Sequence, residues 1–554
     1  MLRHLAVYLS SLLLEFEPSM SQSTHSAVNL ESSADCQSAS MVTLADDEPG
    51  GDASQIADVA RRAAIDEQRP DKPEEACGVF GVYAPDEAVA TLTYFGLYAL
   101  QHRGQESAGI AAFDRGEVHE HKGMGLVSQV FTDDVLHHIP GQWAVGHTRY
   151  STTGSSHAAN AQPAVVDTRL GQLALAHNGN IVNVNNLRAE LLERNHDLLT
   201  TSDSELIAFA LAEAVNDGGD WIESAIAAFK RCEGAFSLVI GTPTGIIAAR
   251  DPHGIRPLVL GYIGSKAPMN AEAGYGPGKF VVASETCGLD IVGATYLRDV
   301  APGEVLWIDG DGITSKIWAN AERKLCIFEM IYFARPDSVF HGESLYSYRK
   351  RIGQRLAQES PADVDLVMAV PDSGIPAAIG YSEASGIPYA EGLIKNRYVG
   401  RTFIQPTQTM RETGIRMKLN PMRDVLEGKR VLIVDDSIVR GTTSRKLVQM
   451  LYAAGATEVH MRISSPPVTH PCFYGIDTDN QEQLIAATKS VKEIEAQLGA
   501  DSLAYLSWEG MLEATGSEVG SFCSACFTGD YPIDIPSQVK RSKLMLEKVP
   551  AEVG

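Results

Sequence analysis

Long apolar runs are missing from this chain. Nowhere do about 18 or more apolar residues follow one another, so no membrane-crossing helix is expected. Leu5–Leu14 is apolar after Arg3, but Glu15 and Glu17 follow at once with no small-residue cleavage site. The start therefore reads as an unstructured extension rather than a secretory leader. Positive charge is scarce: 46 Lys and Arg stand against 70 Asp and Glu, for a net charge of −24 and a pI of about 5.0. That balance argues against a nucleic-acid binder or a membrane-surface protein. Cysteines are few, eight in 554 residues, and suggest catalysis or metal binding in a cytoplasmic enzyme more than disulfides. Aromatics are absent between Phe16 and Cys77, where Ser, Asp, Glu, Gln and Ala dominate. Residues 1–76 are accordingly expected to be a disordered extension, with Met20 and Met41 as alternative starts.

What remains is an ordinary globular composition, 44% hydrophobic and 21% charged, long enough for two large domains or three to four average ones. The most informative stretch is Val431–Ser444, VLIVDDSIVRGTTS. Four apolar residues predict a buried strand, Asp435 and Asp436 close it, and Arg440-Gly441-Thr442-Thr443 turn into a helical pattern. Loop amides and a helix N-terminus can face an anion there, and the acids can reach sugar hydroxyls or hydrated Mg²⁺. The spacing is not that of a Walker loop. It resembles the phosphoribosyl-diphosphate (PRPP) signature of type I phosphoribosyltransferases. Strands alternate with helices from Tyr346 to Val468, which predicts a mostly parallel sheet with its ligand at the strands' carboxyl ends.

By that resemblance Pro371–Gly374 (PDSG) is the pyrophosphate loop, with Ser373 contacting Mg²⁺. Asp435 and Asp436 bind Mg²⁺ and the ribose hydroxyls, and Arg440, Gly441, Thr442 and Thr443 cradle the 5′-phosphate. Lys395–Arg401, KNRYVGR, resembles the loop that closes over PRPP, with Lys395, Arg397, Arg401, Arg411 and Tyr398 as candidate contacts. Closure would exclude water from an oxocarbenium-like centre.

The earlier half begins abruptly at Cys77 with CGVFGVYAP. It continues through QHRGQESAG (101–109), GHTRYSTTG (146–154), LALAHNGNI (173–181) and TSDSE (201–205). Successive strand patterns predict a two-layered sheet core flanked by helices. This run, Cys77 to about Trp318, resembles the glutamine amidotransferase domain of the Ntn hydrolases, an αββα sandwich. The resemblance makes Cys77 the nucleophile and the first residue of the mature chain. Residues 1–76 would then be a propeptide. A free α-amine, with a pKa near 8, could take the thiol proton, so no separate catalytic histidine is needed. Arg149 would pair with the glutamine α-carboxylate and Asp203 with its α-ammonium. The Asn178 side chain and the Gly179 amide would form the oxyanion hole. Arg103 and Gly104 would lie close to the nucleophile and help bind glutamine. His147 and His177 are read as orienting backbone, and Cys232 and Cys287 as packing residues.

Four cysteines stand outside these motifs: Cys326, Cys472 and the Cys523-x-x-Cys526 pair. Four thiolates suit zinc or a [4Fe–4S] cluster equally. KLCIFEMIYFARPDS, THPCFYGID and FCSACFTGDYP resemble the iron–sulfur class of glutamine PRPP amidotransferases, which implies that all four are ligands of a structural cluster.

Both halves occur in that family's order. The resemblance implies glutamine and PRPP as substrates, 5-phosphoribosylamine as product, Mg²⁺ as cofactor, and the first committed step of purine synthesis. It also implies a homotetramer inhibited by purine nucleotides. Expected boundaries are 1–76, 77–318, 319–500 and a helical, cysteine-containing tail at 501–554; Lys324–Ser338 reads as a mixed apolar and polar connector, and Glu495–Gly516 as helical. An aminosugar- or asparagine-forming relative would have no use for the PRPP loops. A non-catalytic PRPP sensor would have no use for Cys77, Arg149, Asn178 and Asp203.

Overall fold

A computed structural model describes residues 77–150, 157–265, 269–270, 274–396, 418–478, 480–516 and 520–536. All of these residues lie within one unit, Gln68–Gly554.

Gly78–Tyr83 sits inside a seven-stranded antiparallel sheet, between Trp143–Arg149 and Phe280–Ala283. All six of its residues are buried, so it reads as a continuous apolar run rather than an alternation. Val79 faces a second, eight-stranded antiparallel sheet, while Phe80 and Val82 face helix Val89–Ala99. The second sheet runs through Gly171–Ile181, Gly234–Thr242 and Gly245–Arg250. Its Ala174 and Ala176 pack inward, while Leu173 and Leu175 pack against helices Asp203–Asn216 and Trp221–Phe229. The period of two thus feeds two cores per sheet and yields helix, sheet, sheet, helix.

A parallel four-stranded sheet follows, ordered Leu366–Ala369, Arg430–Asp435, Glu458–Ile463 and Ser502–Tyr505. Leu432 and Val434 pack with helices Leu345–Glu359 and Ile375–Ser385, and Val431 and Ile433 with helices Thr442–Ala453 and Val491–Leu498. The mixed α+β and α/β architecture expected from the motifs is the one observed.

Two segments differ from expectation. Glu495–Gly516 is not one helix: Gly499 ends a helix in the left-handed conformation, Ser502–Tyr505 becomes the sheet's edge strand, and Trp508–Thr515 is a new helix. The sheet therefore continues past residue 500, where a boundary was expected. Lys324–Ser338 is more than a connector. It holds strand Leu325–Cys326, paired in parallel with Phe522–Cys523, and a π-helix at Glu329–Phe333.

Leu432 is fully buried in the inner strand of the parallel sheet. Leu432→Ala is expected to cost about 2–5 kcal/mol by transfer loss plus the cavity left behind. Equilibrium denaturation should show a lower midpoint, whereas the exposed Lys492→Ala should stay within about 0.5 kcal/mol of the parent.

Candidate active site

The strand that starts at Gly78 carries Cys77 at its mouth, 7% exposed, with its thiol donating to the Tyr150 carbonyl at 3.4 Å. Burial pushes the Cys77 thiol up to about 12; Glu106 and Asp203 add to this, and Arg149 and Arg103 oppose it. A thiol so placed is protonated near neutral pH and needs a base to become a nucleophile.

A neighbouring strand, a helix and the facing sheet supply the rest. Arg149, at the end of its strand, is buried and pairs with Glu106. Asp203 opens helix Asp203–Asn216 behind the N-cap Ser202 and accepts the Ile181 amide at 3.1 Å. Its carboxylate lies 3.6 Å from His177 Nδ1. Burial alone would raise Asp203, but His177, Ile181 and Arg149 together hold it below the ordinary carboxylate value. His147 donates to the His177 carbonyl at 2.9 Å, and burial lowers it to about 3, so it stays neutral and orients backbone.

Asn178 and Gly179 lie side by side on Gly171–Ile181. Gly179 has φ +147°, and a Cβ there would meet the Ala235 carbonyl at 2.1 Å, so only glycine can turn this backbone. The Asn178 side chain is fully buried, and among the described residues neither its oxygen nor its nitrogen has a hydrogen-bond partner. A buried amide left orphaned is costly unless a ligand completes it.

Arg103 lies close to Cys77. It is buried, its Nε donates to the Cys77 carbonyl at 3.1 Å, and its other nitrogens reach Glu285 at 2.6 Å and Glu329 at 2.6 and 3.0 Å. It bears on the Cys77 backbone. Gly104 packs tightly on Thr148, beside Arg149. The motif readings passed over Glu106 and Glu329, although Glu106 sits inside QHRGQESAG and Glu329 inside KLCIFEM. Cys232 and Cys287 are buried, and burial raises both thiols, as packing residues should be.

The second constellation forms at the carboxyl edge of the parallel sheet. Asp435 ends its strand; both it and Asp436 are buried. Ser373 of the PDSG loop donates to one oxygen of Asp436, and Ser437 to the other at 2.7 Å. Lys395 reaches Asp372 of the same loop at 2.6 Å. Gly441 takes φ +80° and releases the chain into helix Thr442–Ala453, while Arg440 bonds Gln483 at 2.9 Å. The oxygen donors Ser373, Asp435 and Asp436 suit Mg²⁺. Tyr398, Arg397, Arg401 and Arg411 lie outside the described residues, as do residues 1–76.

The four remaining cysteines also come together. Cys326 and Cys523 are register partners in the parallel pair, and none of the four is in a disulfide. Burial raises Cys326 to about 11, with Cys472 contributing; burial also raises Cys526, with Cys326, Cys523 and Cys472 contributing. The four thiols share one region of the core. As the side chains stand, no group of three or more His, Cys, Asp or Glu among the described residues could hold a metal ion.

Residues 147–272 match the glutamine amidotransferase domain and 342–464 the phosphoribosyl transferase domain. The amidophosphoribosyltransferase of Synechococcus elongatus is 69% identical over 485 residues, 87% of this chain and 97% of that one. The chain belongs to the amidophosphoribosyltransferase family. The Bacillus subtilis amidophosphoribosyltransferase is 50% identical over 83% of this chain and 95% of its own. A solved structure of B. subtilis glutamine PRPP amidotransferase complexed with ADP and GMP superposes with a TM-score of 0.76 at 49% identity, covering 83% of this chain and 98% of that one. Like other amidophosphoribosyltransferases, the protein makes 5-phosphoribosylamine, glutamate and pyrophosphate from glutamine, PRPP and water, in purine biosynthesis. No helix among the described residues is long and apolar enough to cross a membrane.

Burial alone would raise Glu285, but His102 and Arg103 overcome it and hold its carboxyl well below the ordinary value. Its contribution is present above the unfolded pKa of about 4.3 and is lost as pH falls through the depressed folded value. Thermal melts should drop below about pH 4.3, and Glu285→Gln should be less stable at pH 7 with a shallower acid slope. Equal slopes would exclude this role.

Proposed function

We propose that Cys77 carries out the glutaminase step after cleavage of Ala76–Cys77 frees its α-amine. The amine takes the thiol proton as Sγ attacks the side-chain amide carbon of glutamine. Charge gathers on the amide oxygen, where Asn178 and the Gly179 N–H stabilise it. The C–N bond breaks, ammonia leaves with the proton, and water hydrolyses the glutamyl thioester. Arg149 and Asp203 hold the two charged ends of glutamine. The observation that carries this reading is the orphaned Asn178 amide, buried beside a strained glycine on the sheet that packs against Cys77's own. The high thiol pKa supports the need for an intramolecular base.

Ammonia then attacks C1 of PRPP as the bond to pyrophosphate breaks. Ser373, Asp435 and Asp436 would hold Mg²⁺, which when bound neutralises charge on the departing pyrophosphate. Asp435 and Asp436 also orient the ribose hydroxyls, and Arg440, Gly441, Thr442 and Thr443 hold the 5′-phosphate, where loop amides and a helix N-terminus favour an anion. Lys395 and Tyr398 belong to the closing loop. Free ammonia would be protonated in water, so the chemistry calls for an enclosed passage between sites.

Cys326, Cys472, Cys523 and Cys526 would hold a [4Fe–4S] cluster of structural role. The glutaminase half spans 77–318, and the phosphoribosyl half starts at 319 and takes in the strand at 502–505. The ADP and GMP named with the B. subtilis structure support purine nucleotides as inhibitors. We infer a cytoplasmic homotetramer.

Asn178→Ala should lower kcat with glutamine by about 10²–10³ while synthesis from added ammonia persists. Asp436→Ala should lose synthesis from either nitrogen source but still hydrolyse glutamine. Loss of both activities in either folded variant would show the two-site division to be wrong. On one anaerobically purified sample, N-terminal sequencing should begin at Cys77, and iron analysis with absorbance near 400 nm should report the cluster. A different start in active enzyme, or colourless iron-free active protein, would remove the corresponding assignment.

A further inference from the structure

Glu329 is fully buried, sits on the only π-helix among the described residues, and has no part in the chemistry above. Its carboxylate accepts from two buried guanidiniums. One oxygen takes Arg103 at 2.6 Å and Arg256 at 2.9 Å; the other takes Arg103 at 3.0 Å. Arg103 in turn donates its Nε to the carbonyl of Cys77. Arg256 donates its Nε to the Tyr474 carbonyl at 2.9 Å.

Tyr474 belongs to a turn that touches the other side of the glutaminase centre. The Phe473 carbonyl accepts from the side chain of Asn180 at 2.9 Å. A Cβ at Gly475 would stand 3.1 Å from the carbonyl group of Gly179. One carboxylate thus ties the nucleophile's backbone to the backbone that abuts the oxyanion glycine.

The π-helix is anchored from the phosphoribosyl half. Arg349, buried on helix Leu345–Glu359, donates to the Met330 carbonyl at 2.8 Å and the Ala334 carbonyl at 2.7 Å. These bonds satisfy carbonyls that a short helix leaves open. The same guanidinium feels the charge of Asp436 in the PRPP site.

We propose that Glu329 is a positioning residue for the glutaminase step: through Arg103 it sets the Cys77 backbone, and through Arg256 the turn against Gly179. Nucleophile and oxyanion donors are thereby held in one register by a group of the phosphoribosyl half. This rests on the reading of Cys77 as nucleophile. Two cations shared by one carboxylate leave little freedom. A neutral amide at 329 has a single accepting oxygen, and whichever way it turns its NH₂ group faces a nitrogen of Arg103, so Arg103 must shift and take the Cys77 carbonyl with it.

The test uses the full-length enzyme, with glutamine or ammonium chloride as nitrogen source. Glu329→Gln should lower kcat with glutamine by on the order of 10–100-fold, because misplacement of a reacting group costs that much. KM for glutamine should move little, since Arg149 and Asp203 remain. Synthesis from ammonia should persist, and Glu329→Asp should recover part of the loss by restoring charge. Arg256→Lys is measured in parallel. It keeps the buried charge but cannot bridge Glu329 and the Tyr474 carbonyl together, so it should show the same split. If Glu329→Gln does not fold, the Arg256→Lys result decides. Unchanged glutamine turnover, or equal loss with both nitrogen sources in folded protein, would overturn the proposal. A Cys77→Ala control separates the two readings: if it still consumes glutamine, the nucleophile assignment itself fails.

Discussion

Four buried charges at the junction of the two halves set the terms for the rest of the molecule. Arg103 and Arg256 are nearly inaccessible to water, as are Glu285 and Glu329. Charges of this kind are tolerated only when each is paired and hydrogen-bonded, and here two cations meet two carboxylates within 2.6–3.0 Å. The array draws together Gln101–Gly104, the Glu285 turn, the π-helix and the Tyr474 turn. None of these segments could be displaced alone without stranding a charge in an apolar interior. The two catalytic halves are therefore joined by a contact with a strict geometry, where apolar packing alone would permit sliding.

The two sites use burial differently. Around Cys77, burial suppresses the thiolate and leaves the Asn178 amide unsatisfied, so the site is completed by substrate and by a base. At the other site the acids are already hydrogen-bonded: Asp436 accepts from the Ser373 and Ser437 hydroxyls, and Asp435 from the Asp436 amide. The first is left with an unsatisfied amide. The second keeps its acids oriented by hydrogen bonds. An acidic chain can bind so anionic a substrate because the loop amides and helix N-terminus beside Gly441 are local.

Much of this was legible in the residues. VLIVDD marked the central strand of the parallel sheet, because a strand buried on both faces must be apolar throughout. CGVFGV marked the first strand of the sandwich for the same reason. HNGN ended its strand where the motif required it. Legibility failed where function depends on pairing across long separations. The motif around Arg103 cannot say which way its guanidinium turns; it pairs with carboxylates 182 and 226 positions away. Glu329 lay in a segment read as a connector. The strand at Ser502–Tyr505 was taken for helix because its neighbours on both sides are helical, and only the open edge beside Glu458–Ile463 recruits it.

The sequence alone marked the candidate reacting groups and their order along the chain, and determined the two architectures that carry them. Those follow from local rules: apolar periodicity, glycine at strained turns, acids at a strand's end. Tertiary structure alone decided which charges are buried together, which amide is left for the substrate, and how one half steadies the other. Such choices depend on desolvation and on distances between residues hundreds of positions apart, and neither quantity exists until the chain has folded.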